Sequence, residues 1–454
     1  MNKILEKTKT IWNITKEKVS KFNDFFLMHF HKHDTIIYIA IVTILSLLVR
    51  LYLFPNVKGD YTNFLKNWYL TYLNEGVSAL GKRIGDYTPC YNYLLYFLSL
   101  FKLQPENTFT LFSQQCDPVL FGIKTISTVF DYGMAVYAYF IGKEFFKDKL
   151  KPIFIYALTI FGLTVVLNSA MWGQCDSIYV FFITGSIYYL IKSKQQPVLS
   201  TFMLSMAFCF KLQTVFVLPV FLILYLKKQY KLHYLLLVPV VYVVAGLPAC
   251  FAAGSNFGDR FSSMISTYFN QLDSYTQVTL NTGTFYALIF TNFKDETFIS
   301  SLAIFLTLFI NGTLIFIFQR FKKPFSGKTI FKLFVLFAMT MPYFMPHMHE
   351  RYFYLNDIII VIYAFINFKK FYVAILAILN SMIGYMVYLW NVPFIPVVPV
   401  DGSITDYTKA ASFRFGAAVF LVSIIIVFKD LFKELSDEDK LIDKPLEQEI
   451  QNLN

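Results

Sequence analysis

The stretch MPHMHERYFYLND, residues 345–357, stands where one long apolar run ends and the next begins. A short connection between two spanning helices needs only polar residues to turn. This one also brings His347, His349, Glu350 and Arg351 together, between Pro346 and Tyr352. Two imidazoles and a guanidinium can grip a phosphate, and the set still leaves a titratable group free. A polar helix cap at the headgroups is the plainer alternative. The outer turn is placed at 342–351.

The chain has 454 residues, of which 56% are hydrophobic and only 15% charged. With a mean hydropathy of +0.52, this excludes a soluble globular protein. Apolar runs of about 18 to 22 residues recur along it, each long enough for a hydrocarbon core of about 30 Å. The fold expected is an all-α polytopic membrane bundle of about 11 to 13 transmembrane helices, with a long first outer loop bearing surface helices. The heavy use of Phe and Tyr suits interfacial belts and lipid-facing packing. The net charge of +11 does not point to nucleic acid, because the lysines fall in short loops on alternate sides, the positive-inside pattern. The five cysteines show no metal-type spacing; a Cys90–Cys116 bridge is open, but the odd count and apolar surroundings favour free thiols.

Residues 1–33 carry seven lysines with Trp12, Phe22, Phe25 and Phe26 among them, and read as an amphipathic or basic cytoplasmic segment on anionic lipid. The membrane domain is set at 34–428 and a charged cytoplasmic tail at 429–454. Spans are expected at 35–54, 118–141, 152–168, 177–191, 232–252, 298–318, 329–345, 352–368, 371–390 and 411–428. Residues 198–226 carry Lys211 and Gln213 at their centre and lie between lysines that look cytoplasmic, so they read as two short helices meeting near the outer face. The outer loop 55–116 is too long for a mere connector. It contains a surface helix over 61–75 and a second amphipathic piece over 91–103. With the outer loop 254–297, the WGQCD turn and the 342–351 turn, it falls on one side of the membrane.

Five polar clusters share that side: Asp60 in GDYTNFLKNW, Asp86 in GDYTPC, Gln174 and Asp176 in MWGQCDS, Lys211 and Gln213 in FKLQ, and His347 to Arg351. Ionisable groups at or within a membrane are costly and mark pathways or sites. Asp60 follows the first span and heads a helix, where a carboxylate can take a proton from an acceptor hydroxyl; a helix N-cap is the alternative. Asp86 reads equally as a turn former or a substrate contact. Lys211 either pairs with Asp131 or Asp176, or faces a lipid phosphate. Asp131, at mid-depth in the second span, reads as a packing partner.

With these strings in order, the chain resembles the GT-C glycosyltransferases, the multi-spanning class that takes sugar from a polyprenyl phosphate. It is similar to the glucosyltransferases of N-glycan precursor assembly and to bacterial relatives of the GPI-anchor mannosyltransferases. The resemblance rests on Gly59-Asp60-Tyr61 with Trp68, Asp86-Tyr87-Thr88-Pro89, Gly173-Gln174-Cys175-Asp176 through Tyr179, Phe210 to Gln213, and His349-Glu350-Arg351. It runs through roughly residues 45–360; the last spans and both tails carry no such string. It implies an inverting hexosyltransferase with Asp60 as base. His349, Arg351, Lys211 and His347 would hold the donor phosphate. Asp86, Gln174, Asp176, Gln213, Glu350, Trp68 and Tyr61 would contact substrate. No cofactor or metal is expected. The partners implied are a polyprenyl-phosphate-sugar donor, a glycan or lipid-linked glycan acceptor, membrane lipids and a donor-synthesising glycosyltransferase.

A transporter or flippase of a lipid-linked sugar is the main alternative, but internal repeats or paired broken helices would be expected and none is evident. A non-catalytic scaffold would be expected to lack Asp60 or the His-Glu-Arg turn. The expected location is a plasma membrane, bacterial by its compact loops, with both termini cytoplasmic and the site extracytoplasmic. The sugar and the acceptor are not legible.

Overall fold

The computed structural model describes residues 16–18, 34–272, 276–291, 297–395 and 406–453; side chains are described within those ranges except at 272, 406–408 and 442–453. Nearly all of the expected N-terminal segment lies outside the described residues. The elements run α1 (Asp34–Leu53), α2 (Lys66–Glu75), α3 (Pro89–Ser99), β1 (Phe109–Leu111), β2 (Gln114–Cys116), α4 (Pro118–Phe145), α5 (Leu150–Ile160), α6 (Leu163–Val166), α7 (Asp176–Ile191), α8 (Pro197–Phe210) and α9 (Leu218–Leu226). They continue with α10 (Leu237–Ala252), α11 (Phe257–Leu272), β3 (Thr279–Leu280), α12 (Thr297–Gln319), α13 (Gly327–Phe344), β4 (Met348–His349), α14 (Tyr354–Ile366), α15 (Tyr372–Trp390) and α16 (Asp406–Leu453).

The protein is an all-α polytopic membrane protein, and among the described residues two small two-stranded sheets stand beside the helices. Six described helices are long and apolar enough to cross a membrane, or seven if the broken pair α5 and α6, bent by 43°, counts as one span. This is fewer than the sequence count. Helices α7, α8, α9 and α14 are apolar but too short to count by length. Apolar windows in the sequence run on over turns, whereas the helices stop there. Non-helical backbone at such depth is tolerated where protein buries it. The described part of α1 and the helices α10 and α12 keep most of their apolar surface outside the fold, as lipid-facing helices do. By contrast α13 is buried from Thr329 to Phe344, and so forms the centre of the bundle.

Local chemistry sets the element ends that matter for the site. Asp117 caps α4, accepting from Val119 N at 2.8 Å and Leu120 N at 3.3 Å, with Pro118 at the first helical position. The π-helical turn Leu167–Trp172 is ended by Gly173 at φ +88°, a left-handed conformation that glycine adopts without cost. At Lys211 the backbone becomes extended (φ −149°, ψ 139°), and this breaks the segment 198–226 into two helical pieces, as expected. All five cysteines are free and buried, so the Cys90–Cys116 bridge is not formed.

Asp131 is a packing partner, and its partner is Arg50. Both are fully buried; Arg50 Nη2 lies 3.0 Å and Nε 3.2 Å from Asp131 Oδ2. Ser169 also donates to Asp131, and Tyr354 OH does so at 3.3 Å. One ion pair thus ties α1 and α4 to the turn before Gly173 and to the start of α14. Both of those stretches border the site.

Candidate functional site

One cavity of about 1160 Å³ is lined by residues from all five polar clusters. Asp60, Trp68, Asp86, Gln174, Lys211, Gln213, His347, His349, Glu350 and Arg351 all face it. Apolar side chains line it as well: Phe208, Phe216, Val238, Val243, Ile265, Phe269 and Ile304 of α8, α10, α11, α12 and the turn after Lys211.

Asp60 sits at the centre of a converging network. Its side chain makes no helix-cap hydrogen bond, which removes the capping explanation. Instead Oδ2 accepts from Trp172 Nε1 at 3.0 Å and from Gln174 Nε2, while Oδ1 accepts from Tyr388 OH at 2.9 Å. Three neutral donors from two distant parts of the chain hold the carboxylate in place. Gln174 also accepts a hydrogen bond from Arg351 Nη1. One amide therefore bridges the carboxylate and the guanidinium. Arg351 also lies 5.7 Å from the centre of the Trp172 ring.

The His-Glu-Arg turn is held from outside. Strand β4 pairs in parallel with β3, in register Thr279–Met348 and Leu280–His349. His347 has φ +62°, its amide donates to Val278 O at 3.1 Å, and its Nδ1 lies 2.7 Å from Gln277 O. Against a carbonyl, Nδ1 carries the proton. Burial, with Arg351, Lys211 and His347 nearby, pushes the His349 imidazole down to about 3. It is neutral at physiological pH. Burial pushes Glu350 up to about 7, helped by Asp60 and Asp176 and opposed by Arg351.

Two of the residues expected to contact substrate do not line the cavity. Tyr61 is buried away from the cavity and donates to Asp117, the cap of α4; it holds the first loop against that helix. Asp176 lies behind the cavity wall as the ion-pair partner of Lys211, and also accepts from Asn168 Nδ2 at 2.8 Å. An apolar setting forces this, since the Lys211 ammonium, 6% exposed, needs a counter-charge. Lys211 therefore presents a neutralised pair to the cavity. Asp86 is exposed at the rim, and Gly85 before it (φ +66°) has no room for a Cβ, which would fall 2.4 Å from the Trp68 ring. Trp68 stacks edge-on against Tyr87 at 5.8 Å.

Trp172 and Tyr388 were not foreseen as site residues. Trp172 stands inside the MWGQCDS string, which exceeds what a cap needs; Tyr388 lies in a span whose sequence gives no signal. Among the described residues no three His, Cys, Asp or Glu side chains come together as a metal site. No protein-family model matches the chain, and no curated protein matches it.

Proposed function

We propose that this protein is an inverting glycosyltransferase of the GT-C type, moving a hexose from a polyprenyl-phosphate-linked donor to a glycan or lipid-linked glycan on the extracytoplasmic face. The observation that carries the reading is the bridge Asp60–Gln174–Arg351 in a cavity that apolar side chains also line. A proton acceptor and an anion-binding group are held side by side, next to a surface suited to an isoprenoid chain.

In this mechanism Asp60 takes the proton of the acceptor hydroxyl as its oxygen attacks the anomeric carbon. The bond from that carbon to the phosphate oxygen breaks, and polyprenyl phosphate leaves. Arg351 faces the charge that develops on the departing oxygen, and neutral His349 donates a hydrogen bond to it. A single displacement inverts the anomeric centre. The Lys211–Asp176 pair shapes the wall and adds little net charge.

A lipid-linked-sugar flippase would also use a cavity lined by polar and apolar side chains, and the same experiment separates the two. Purified protein in nanodiscs is offered polyprenyl-phosphate-glucose, -mannose, -galactose and -GlcNAc separately, with a native glycan extract, and release of polyprenyl phosphate is followed. Acceptor-dependent release from one donor, lost in Asp60→Asn, is expected. Movement of labelled lipid between leaflets without release would overturn the transferase in favour of transport. Turnover that survives Asp60→Asn would move the base elsewhere.

A further inference from the structure

Lys124 lies on α4, is fully buried, and makes no ion pair among the described residues. Its Nζ instead donates to main-chain carbonyls: Asn56 O at 2.6 Å, Phe54 O at 2.9 Å and Met171 O at 3.1 Å, with Leu53 O at 3.5 Å as a longer fourth contact. Three close acceptors match the three protons of an ammonium. Its stem runs beside Gly173, where a Cβ would meet Lys124 Cε at 3.5 Å.

The carbonyls belong to two stretches with one thing in common. Leu53 ends α1 and Phe54 follows it, where carbonyls lack helical partners and favour a cation; Asn56 stands four residues before Asp60. Met171 immediately precedes Trp172 and stands three residues before Gln174, the two side chains that grip Asp60 Oδ2. A buried ammonium without a carboxylate is costly in an apolar interior. A neutral core residue would fill the same volume without that cost, but would leave these carbonyls unjoined.

We infer that Lys124 is a positioning residue: its ammonium clamps the end of α1 to the Met171–Gln174 turn and so sets the Asp60 carboxylate against its donors. The kinetic part of this inference rests on the glycosyl-transfer reading. Arg351 and His349 stand on another element and meet the clamped turn only through Gln174 and Trp172, so loss of the clamp acts first on the base and less on donor binding. Misplacement by about 1 Å costs about 100-fold in rate.

The experiment compares wild type with Lys124→Ala and Lys124→Gln, each with and without ethylammonium, which can enter the vacated carbonyl cage. Two signals are read: kcat and KM for the donor, and the ¹⁹F resonance of 5-fluorotryptophan at position 172, assigned by Trp172→Phe. Lys124→Ala is expected to lower kcat about 100-fold with a much smaller change in donor KM, to shift the Trp172 resonance, and to recover kcat and the resonance with ethylammonium but not with neutral propanol. Lys124→Gln, which offers fewer donors, should fall between. An unchanged resonance in Lys124→Ala overturns the inference. So does a parallel loss of kcat, donor binding and thermal stability that ethylammonium does not restore in either variant. If wild type transfers no sugar, the functional reading fails, while the resonance and its rescue still decide the clamp.

Discussion

The two polar walls of the cavity are built on opposite principles. Around Asp60 the partners are neutral: an indole N–H, an amide and a phenol fix both carboxylate oxygens without opposing charge. Around residues 347–351 the groups are ionisable and crowded, and burial moves them, with His349 held neutral and Glu350 titrating near neutrality. A base needs its lone pairs kept available, which neutral donors permit. In the proposed transferase a phosphate site needs readiness for a dianion, and an Arg beside a neutral imidazole would supply it without trapping the product in a cage of fixed cations.

The sharpest break in this comparison is Asp60→Asn. It keeps the size and most hydrogen-bonding capacity of the side chain but removes the base, so turnover is expected to fall about 10³-fold or more while donor affinity stays unchanged, as read by single-turnover kinetics and donor binding. Arg351→Ala should act on the other wall. It is expected to lower both donor affinity and rate, together about 10² to 10³-fold in kcat/KM, with Arg351→Lys recovering only part because the bidentate fork is lost. Gln174→Ala tests the bridge. If the two walls act as one unit, its effect and that of Arg351→Ala are non-additive in a double-mutant cycle by about 1 kcal/mol or more; additivity would separate them.

A smaller effect concerns stability and pH. Glu350 is raised in the fold from an ordinary 4.5 to about 7, so its folded form favours the proton. Its contribution is fully present below about 4.5 and is lost as pH rises through about 7. Glu350→Gln should therefore match wild type near pH 4.5 and exceed it at pH 8 by about 2–3 kcal/mol, read by thermal or denaturant unfolding. His349 acts in the opposite sense. Its pKa is depressed, so its share is present above about 6.5 and disappears as pH falls towards 3. An unchanged pH profile in Glu350→Gln would mean that its carboxyl is solvated. Smallest is Tyr388→Phe, which removes one of three donors to Asp60 and should cost less than tenfold in kcat, about 1 kcal/mol.

Most helix positions were legible because they depend on local pattern. Apolar windows located α1, α4, α10, α12 and α15 within a few residues of their observed ends. Breaks at Lys211 and at Gly173 followed from a charge and a glycine in apolar runs. The described helices long enough to cross number six or seven against about 11 to 13 expected, since hydropathy does not register where an apolar stretch leaves the helix to form a buried turn.

A helical membrane bundle and five polar strings at its turns could be read from residue order alone, because spanning length and turn chemistry are local properties. Which members of those strings face one another depended on the packed fold. It turned Tyr61 towards Asp117 and Asp176 towards Lys211, because buried charges and hydroxyls in an apolar interior must find partners. It brought Tyr388 to Asp60 across 328 positions, and set Lys124 among the carbonyls of two separate stretches. Such meetings carry no periodicity and no spacing; they arise from packing, and packing is a property of the whole chain.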